Sequence, residues 1–215
     1  MRPSTLKHFR QSSICLALTA AGLMASVSVQ AQTATGTDSA ATGTDSTATG
    51  ANSTASGEQS TATGAGSHAT EPSSTATGVY SNAGYNGTAT GAGSFASSDG
   101  TATGANSRAQ QNNSTATGAS SNAQGDQSTA TGSYSQALYQ GDTATGSYST
   151  ASGGNSTATG SQSTASGGGS TVNGAYSSAA ANRSTVIGSG SYVEVTATDS
   201  SVFGASAHVD ANVIN

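Results

Sequence analysis

The chain has 215 residues, of which 7% are charged and 5% aromatic, with 29 Gly, two Pro, a single Cys and a formal net charge of −5. Leu, Ile and Phe are too few to build a conventional globular core, and an excess of acid over base makes nucleic acid and anionic lipid poor partners. Low charge and scarce Pro also set the chain apart from disordered sequences, which commonly owe their solubility to both.

At the N-terminus, Arg2, Lys7 and Arg10 precede an apolar run from Ile14 through Val29, and Val29-Gln30-Ala31 offers small side chains where a signal peptidase reads. Residues 1–31 are therefore expected to be a secretory signal, cleaved near Ala31, which sends the protein out of the cell or to the outer-membrane surface. The run is broken by Thr, Ser and Gly and is short beside a bilayer span of about 20 residues, so a retained anchor is not expected. Cys15, the only cysteine, lies inside the signal. The mature chain then has no disulfide and no thiolate ligand or nucleophile. It keeps Arg108 and Arg183 against ten carboxylates, a net charge of −8. The carboxylates are scattered singly from Asp38 to Asp210 and read as solvated turn residues.

From Thr33 onward the sequence is periodic. At an almost fixed interval Thr-Ala-Thr recurs ten times, centred on Ala34, Ala48, Ala62, Ala76, Ala89, Ala102, Ala116, Ala130, Ala144 and Ala158. The period is 14, shortening to 13 only around Ala89 and Ala102. Such regularity means one small unit stacked on its own copies, a solenoid. Each unit is two halves of seven, as in STATGANSTASGEQ from Ser46 to Gln59. Each half predicts a short strand and a tight turn in which Gly, Asn, Asp and Ser supply unusual backbone angles. Counting the variants around Val172 and Val186 gives about 12 coils, an all-β parallel β-roll over 32–192. Residues 193–215 are expected to hold divergent last coils and a cap or truncated neck.

Side-chain alternation assigns the faces. In the second half, Ser and Ala are fixed (Ser67 and Ala69, Ser107 and Ala109, Ser121 and Ala123, Ser135 and Ala137), while the residues between them are His68, Asn82, Phe95, Arg108, Asn122 and Gln136. Groups so unlike cannot share a packed interior, so Ser and Ala face inward. By the same logic both threonines of Thr-Ala-Thr face outward. They form two ladders that include Thr47 and Thr49, Thr61 and Thr63, Thr75 and Thr77, Thr115 and Thr117, Thr129 and Thr131, Thr143 and Thr145, and Thr157 and Thr159. Rungs are spaced by about 4.8 Å and the two Thr of one strand by about 6.6 Å. A column of Ala and Ser buries little apolar area, so a second surface should cover a face, most simply by self-association of identical rods.

The alternation STATGxxSxAxGxx resembles the head repeats of trimeric autotransporter adhesins, the YadA-like or haemagglutinin-repeat heads. Thr185 to Ser191 (TVIGSGS) and Ser200 to Ser206 (SSVFGAS) are the stretches most similar to the usual Ser-Val-Ala-Ile-Gly consensus. The resemblance spans about residues 33 to 209. It implies a left-handed parallel β-roll and a homotrimer. It also implies non-catalytic attachment to host extracellular matrix, to cell-surface protein or glycan, or to other bacteria. The chain departs from the pattern in two ways: Thr replaces most of the Val and Ile of the consensus, and nothing after Ala207 (HVDANVIN) reads as a coiled-coil stalk or barrel strands, so any membrane attachment would need an anchor this chain lacks.

Two other readings stay open. Thr-x-Thr ladders on a flat solenoid also resemble the ice-binding faces of some antifreeze proteins, and the 13-residue coils are expected to disturb an ice-matching array. A purely structural surface fibre is the third. Enzymatic activity has little support. His68 and His208 are the only histidines after the signal and lie far apart in the stack. The Gly clusters at 153–154 and 167–169 read as coil turns and open no helix. No cofactor or metal is expected. Candidate contact residues are Tyr80, Tyr134, Tyr148 and Tyr176, which share one turn position and would line an edge of the rod, and Phe95 and Arg108 on the variable face.

Overall fold

The structure is a computed structural model that describes residues 31–210. Arg2, Lys7, Arg10, Cys15 and the rest of the expected signal up to Gln30 lie outside the described residues, as does the expected cap or neck from residue 211 on.

Among the described residues the chain alternates three-residue strands, such as Thr47–Thr49, with two-residue strands, such as Thr54–Ala55, and contains no helix. The three-residue strands form one 13-stranded parallel sheet and the two-residue strands another, each in chain order. The molecule is thus a parallel β-solenoid of thirteen coils, about 58 Å long at the usual strand spacing. The thirteenth coil, Ser201–Phe203 with His208–Val209, adds one to the expected twelve.

The repeat folds this way because each residue type meets a different demand. The central Ala of both strands is fully buried from Ala48 through Ala165, and Ser53, Ser67, Ser81, Ser107, Ser121 and Ser135 are buried beside them. Only small side chains fit between two sheets joined by such short turns. A buried hydroxyl needs a partner. Ser67 Oγ donates to the Gly64 carbonyl at 2.8 Å, and Ser107 Oγ to that of Gly104 at 2.8 Å, so the inward Ser also staples its own turn.

That turn needs a residue of positive φ at its third position, the demand of a type II turn. Asn52 has φ 56° there, and Ser53 N–H donates back to the Gly50 carbonyl at 3.3 Å. The preceding glycine is needed for a different reason. Gly118 has φ +123°, and a Cβ on it would come within 2.7 Å of the Gly132 backbone in the next coil. Corners of successive coils therefore stack glycine on glycine, and the ladder of hydrogen bonds continues around them, as from Gly132 N–H to the Thr117 carbonyl at 2.7 Å.

Coil length varies only in the turn after the second strand. The two 13-residue coils lose a residue there, and Gly87 and Gly100 replace the Ser that precedes Thr-Ala-Thr in most coils. The first sheet stays in register through both, Thr75 pairing with Thr88 and Thr88 with Thr101. The expectation that these coils disturb the Thr array is therefore wrong: the deletion is absorbed in the opposite turn. The twelfth coil instead gains two residues, so that Thr185 pairs with Ser201. Toward this end the interior widens, with Val172, Val186, Val193 and Val202 replacing alanine.

Candidate functional site

Three outward features follow from this architecture: the Thr face, the variable face and the turn edge between them. On the first sheet no Thr of the ladder is buried, and the alternation half-buried, buried, half-buried of Thr61–Thr63 and Thr75–Thr77 confirms that both threonines face away from the interior. The ladder runs in register over ten coils from Thr33 to Thr159. Its second column then continues as Asn173, Ile187 and Phe203. Ile187 and Phe203 are exposed, at 41% and 68%. None of the outward residues of this sheet is charged.

The second sheet carries the variable residues. His68, Asn82, Phe95, Arg108, Asn122 and Gln136 occupy consecutive rungs, each paired in register with the next. Phe95 and Arg108 are thus direct neighbours. All six sit outside while Ala69, Ala83, Ala96, Ala109, Ala123 and Ala137 sit inside.

The tyrosine edge is also where the repeat puts it. Tyr80, Tyr134, Tyr148 and Tyr176 all take the positive-φ position of the first turn, with φ between 56° and 59°. Tyr134 and Tyr148, on neighbouring coils, stack with ring centroids 5.0 Å apart and planes 11° from parallel. The Tyr80 ring lies over Gly66 of the preceding coil, close enough that a Cβ there would meet it at 2.7 Å. Tyr80 and Tyr176 stand alone at other heights of the same edge. Left-handed backbone is unfavourable for bulky side chains, and Asn, Asp, Ser or Gly hold the position in most other coils.

One carboxylate contradicts its sequence assignment. Asp142 is not a solvated turn residue but is fully buried, in the inward column that Ser occupies in most coils. Its carboxyl oxygens accept from Tyr139 N–H at 2.9 Å, Ser156 N–H at 2.9 Å and Ser156 Oγ at 2.7 Å. The signal was present in the sequence, since Asp142 directly precedes Thr-Ala-Thr where Ser is the rule.

Two further groupings were not anticipated. Arg183 and Asp199, in equivalent turns flanking the long coil, form an exposed bidentate pair with both contacts at 2.6 Å. That hydrogen bonding, and then the charge of Arg183, holds the Asp199 carboxyl below the usual carboxylate range. Tyr192 stacks on His208 at 5.1 Å and donates to Asp210 at 3.0 Å, which pushes its phenol above the usual range. Register alignment of the last two coils would have predicted the stack, but the two-residue insertion hides it in the sequence. Among the described residues no cluster of His, Cys, Asp and Glu is placed to hold a metal, and no helix is long and apolar enough to cross a membrane.

These surfaces can cover other surfaces, and they gather no nucleophile, base and oxyanion donors in one place. Comparison with curated proteins gives no match in sequence. The family model of the YadA head domain repeat matches residues 34–57, 55–81, 97–121, 109–135 and 144–170, together more than half of the chain. The matches leave out residues 82–96, which span parts of both shortened coils, residues 136–143, and everything after 170, TVIGSGS and SSVFGAS included, yet the coils there continue the same two sheets. Matched repeats and thirteen stacked coils agree, and the chain belongs to the YadA head domain repeat family.

Proposed function

We propose that the protein is a secreted or cell-surface adhesive head, non-catalytic, that works as a homotrimer. The first sheets pack together at the centre, and the second sheets and tyrosine edges face host matrix, cell-surface protein or glycan. The observation that carries this reading is the outward face of the first sheet. It is uncharged over its whole length, its first Thr column is mostly half-buried and its second mostly exposed, and it ends in exposed Ile187 and Phe203. A Thr rung offers a methyl for packing and a hydroxyl for hydrogen bonds between chains. The thin Ala and Ser interior gains from any such cover. Beads coated with the protein are expected to attach to immobilised matrix or host cells above an uncoated control, and attachment is expected to fall when Thr117→Lys and Thr131→Lys place like charges at the centre. Attachment no better than the control overturns the adhesive reading.

One observation favours a second reading, in which the Thr face meets water and binds ice. The two columns keep register through the shortened coils, giving an array of about 4.8 Å by 6.6 Å with no interruption over ten coils. A folded monomer that suppresses ice recrystallisation, and loses this on Thr117→Lys, would establish it.

A further inference from the structure

Resting on the adhesive reading, we propose that the second sheet between Phe95 and Gln136, with the adjoining tyrosine edge, binds a linear glycan that carries a carboxylate, and that Arg108 takes the carboxylate. The strip is built from consecutive rungs: Phe95, Arg108, Asn122 and Gln136 lie in register about 4.8 Å apart, close to the advance per residue of an extended sugar chain. Two residues before Gln136, on the same coil, is Tyr134, stacked on Tyr148. The strip therefore has an aromatic side chain at each end and amide and guanidinium donors between. An amide hydrogen bond from Gln110 to Asn122 at 3.2 Å steadies the middle. Below Phe95 the polar rungs continue through Asn82 and His68 to Thr54, and above Gln136 the column gives way to the smaller Thr150, Thr164 and Ser178.

Charge selects the ligand. Among the described residues Arg108 and Arg183 are the only arginines or lysines, and Arg183 is neutralised by Asp199. Arg108 forms no ion pair among the described residues, and no outward rung of its sheet is a carboxylate. The nearby acids are kept in turns, where Asp99 accepts from Asn86, or buried, as Asp142 is. A single unpaired guanidinium beside an aromatic ring, on a chain otherwise acidic, suits one carboxylate with sugar hydroxyls on either side. It does not suit a polyanion such as nucleic acid. The tyrosines accept a left-handed backbone position where Asn or Gly is less strained, and there Tyr134 and Tyr148 present a stacked aromatic edge beside the strip.

The test uses the folded, secreted protein and three probes: a galacturonic acid tetrasaccharide, a hyaluronan tetrasaccharide and sialyllactose, each beside its carboxyl-reduced counterpart. At least one acidic probe is expected to bind, at least tenfold more tightly than its reduced form. Binding should fall at least tenfold in Arg108→Gln and in Phe95→Thr, residues the repeat already carries at equivalent rungs, and should be unchanged in Phe203→Thr on the other sheet. No binding by any probe, equal binding of the reduced forms, or indifference to Arg108→Gln overturns the proposal. Bead attachment separates the two levels. Variants that still attach to cells while binding no acidic glycan leave the adhesive head standing and remove the glycan strip.

Discussion

Asp142→Ala is expected to lower stability by about 2–4 kcal/mol, although it removes a buried carboxyl group. Two backbone donors, Tyr139 N–H and Ser156 N–H, point at that carboxyl. Ser156 Oγ keeps a second acceptor, the Ala165 carbonyl at 3.1 Å, and loses less. Each buried N–H left without an acceptor costs about 1–3 kcal/mol, offset in part by relief of the desolvated carboxyl. Asp142→Ser should be close to neutral, because in other coils the equivalent Ser takes over the same duties: Ser156 Oγ accepts from Gly153 N–H at 3.2 Å, and Ser60 N–H returns to the Gly57 carbonyl at 3.3 Å. Asp142→Asn should fall between, since its amide nitrogen must face one of the donors. Thermal unfolding followed by circular dichroism should show the Ala variant roughly 5–15 °C below the parent and the Ser variant within a few degrees of it. Hydrogen exchange at Tyr139 and Ser156 should localise the loss, because a solenoid can open locally. An Ala variant as stable as the parent, or a Ser variant as damaged as Ala, would refute the hydrogen-bond reasoning.

Gly118→Ala should cost about 1–3 kcal/mol from backbone strain alone, and more from the approach to Gly132, visible as a lowered melting temperature; an unchanged melt contradicts the glycine-on-glycine corner. Tyr80→Asn should raise stability by about 0.5–1 kcal/mol by relieving left-handed backbone strain, whereas a clear loss would mean that the ring over Gly66 stabilises the turn. For Asp199, whose folded carboxyl is held low by Arg183, the stabilising contribution is present above its unfolded value of about 3.9 and is lost as pH falls through the folded value. Its NMR titration midpoint should move up in Arg183→Gln, and the melting temperature at neutral pH should change little because both partners are exposed.

Much of the architecture is legible in the sequence because one rule is repeated. A chain in which Ala alternates with unlike residues can only turn Ala inward, and the recurrence of Thr-Ala-Thr fixes both the sheets and the outward threonines. The shortened coils mislead because a change of period looks like a change of register. The missing residue falls in a turn, where Gly87 and Gly100 close the gap, and the opposite sheet does not sense it. Asp142 misleads because a carboxylate is ordinarily solvated. Its burial depends on two backbone donors that only the folded turn presents. The Arg183–Asp199 pair and the Tyr192–His208 stack escape for a related reason, since both span the coil lengthened by two residues and do not align at the 14-residue period. The tyrosine edge was readable as an alignment, but the stacking of Tyr134 on Tyr148 and the left-handed backbone beneath both come from the turn geometry.

The proposed trimer is tested most directly by the solution mass of residues 32–215, by light scattering coupled to size exclusion, with circular dichroism on the same sample. A mass three times that of the protomer, reduced to one protomer of unchanged β-content by Thr117→Lys with Thr131→Lys, is the predicted result. A folded monomer in the parent protein would contradict it and leave the threonine face to water.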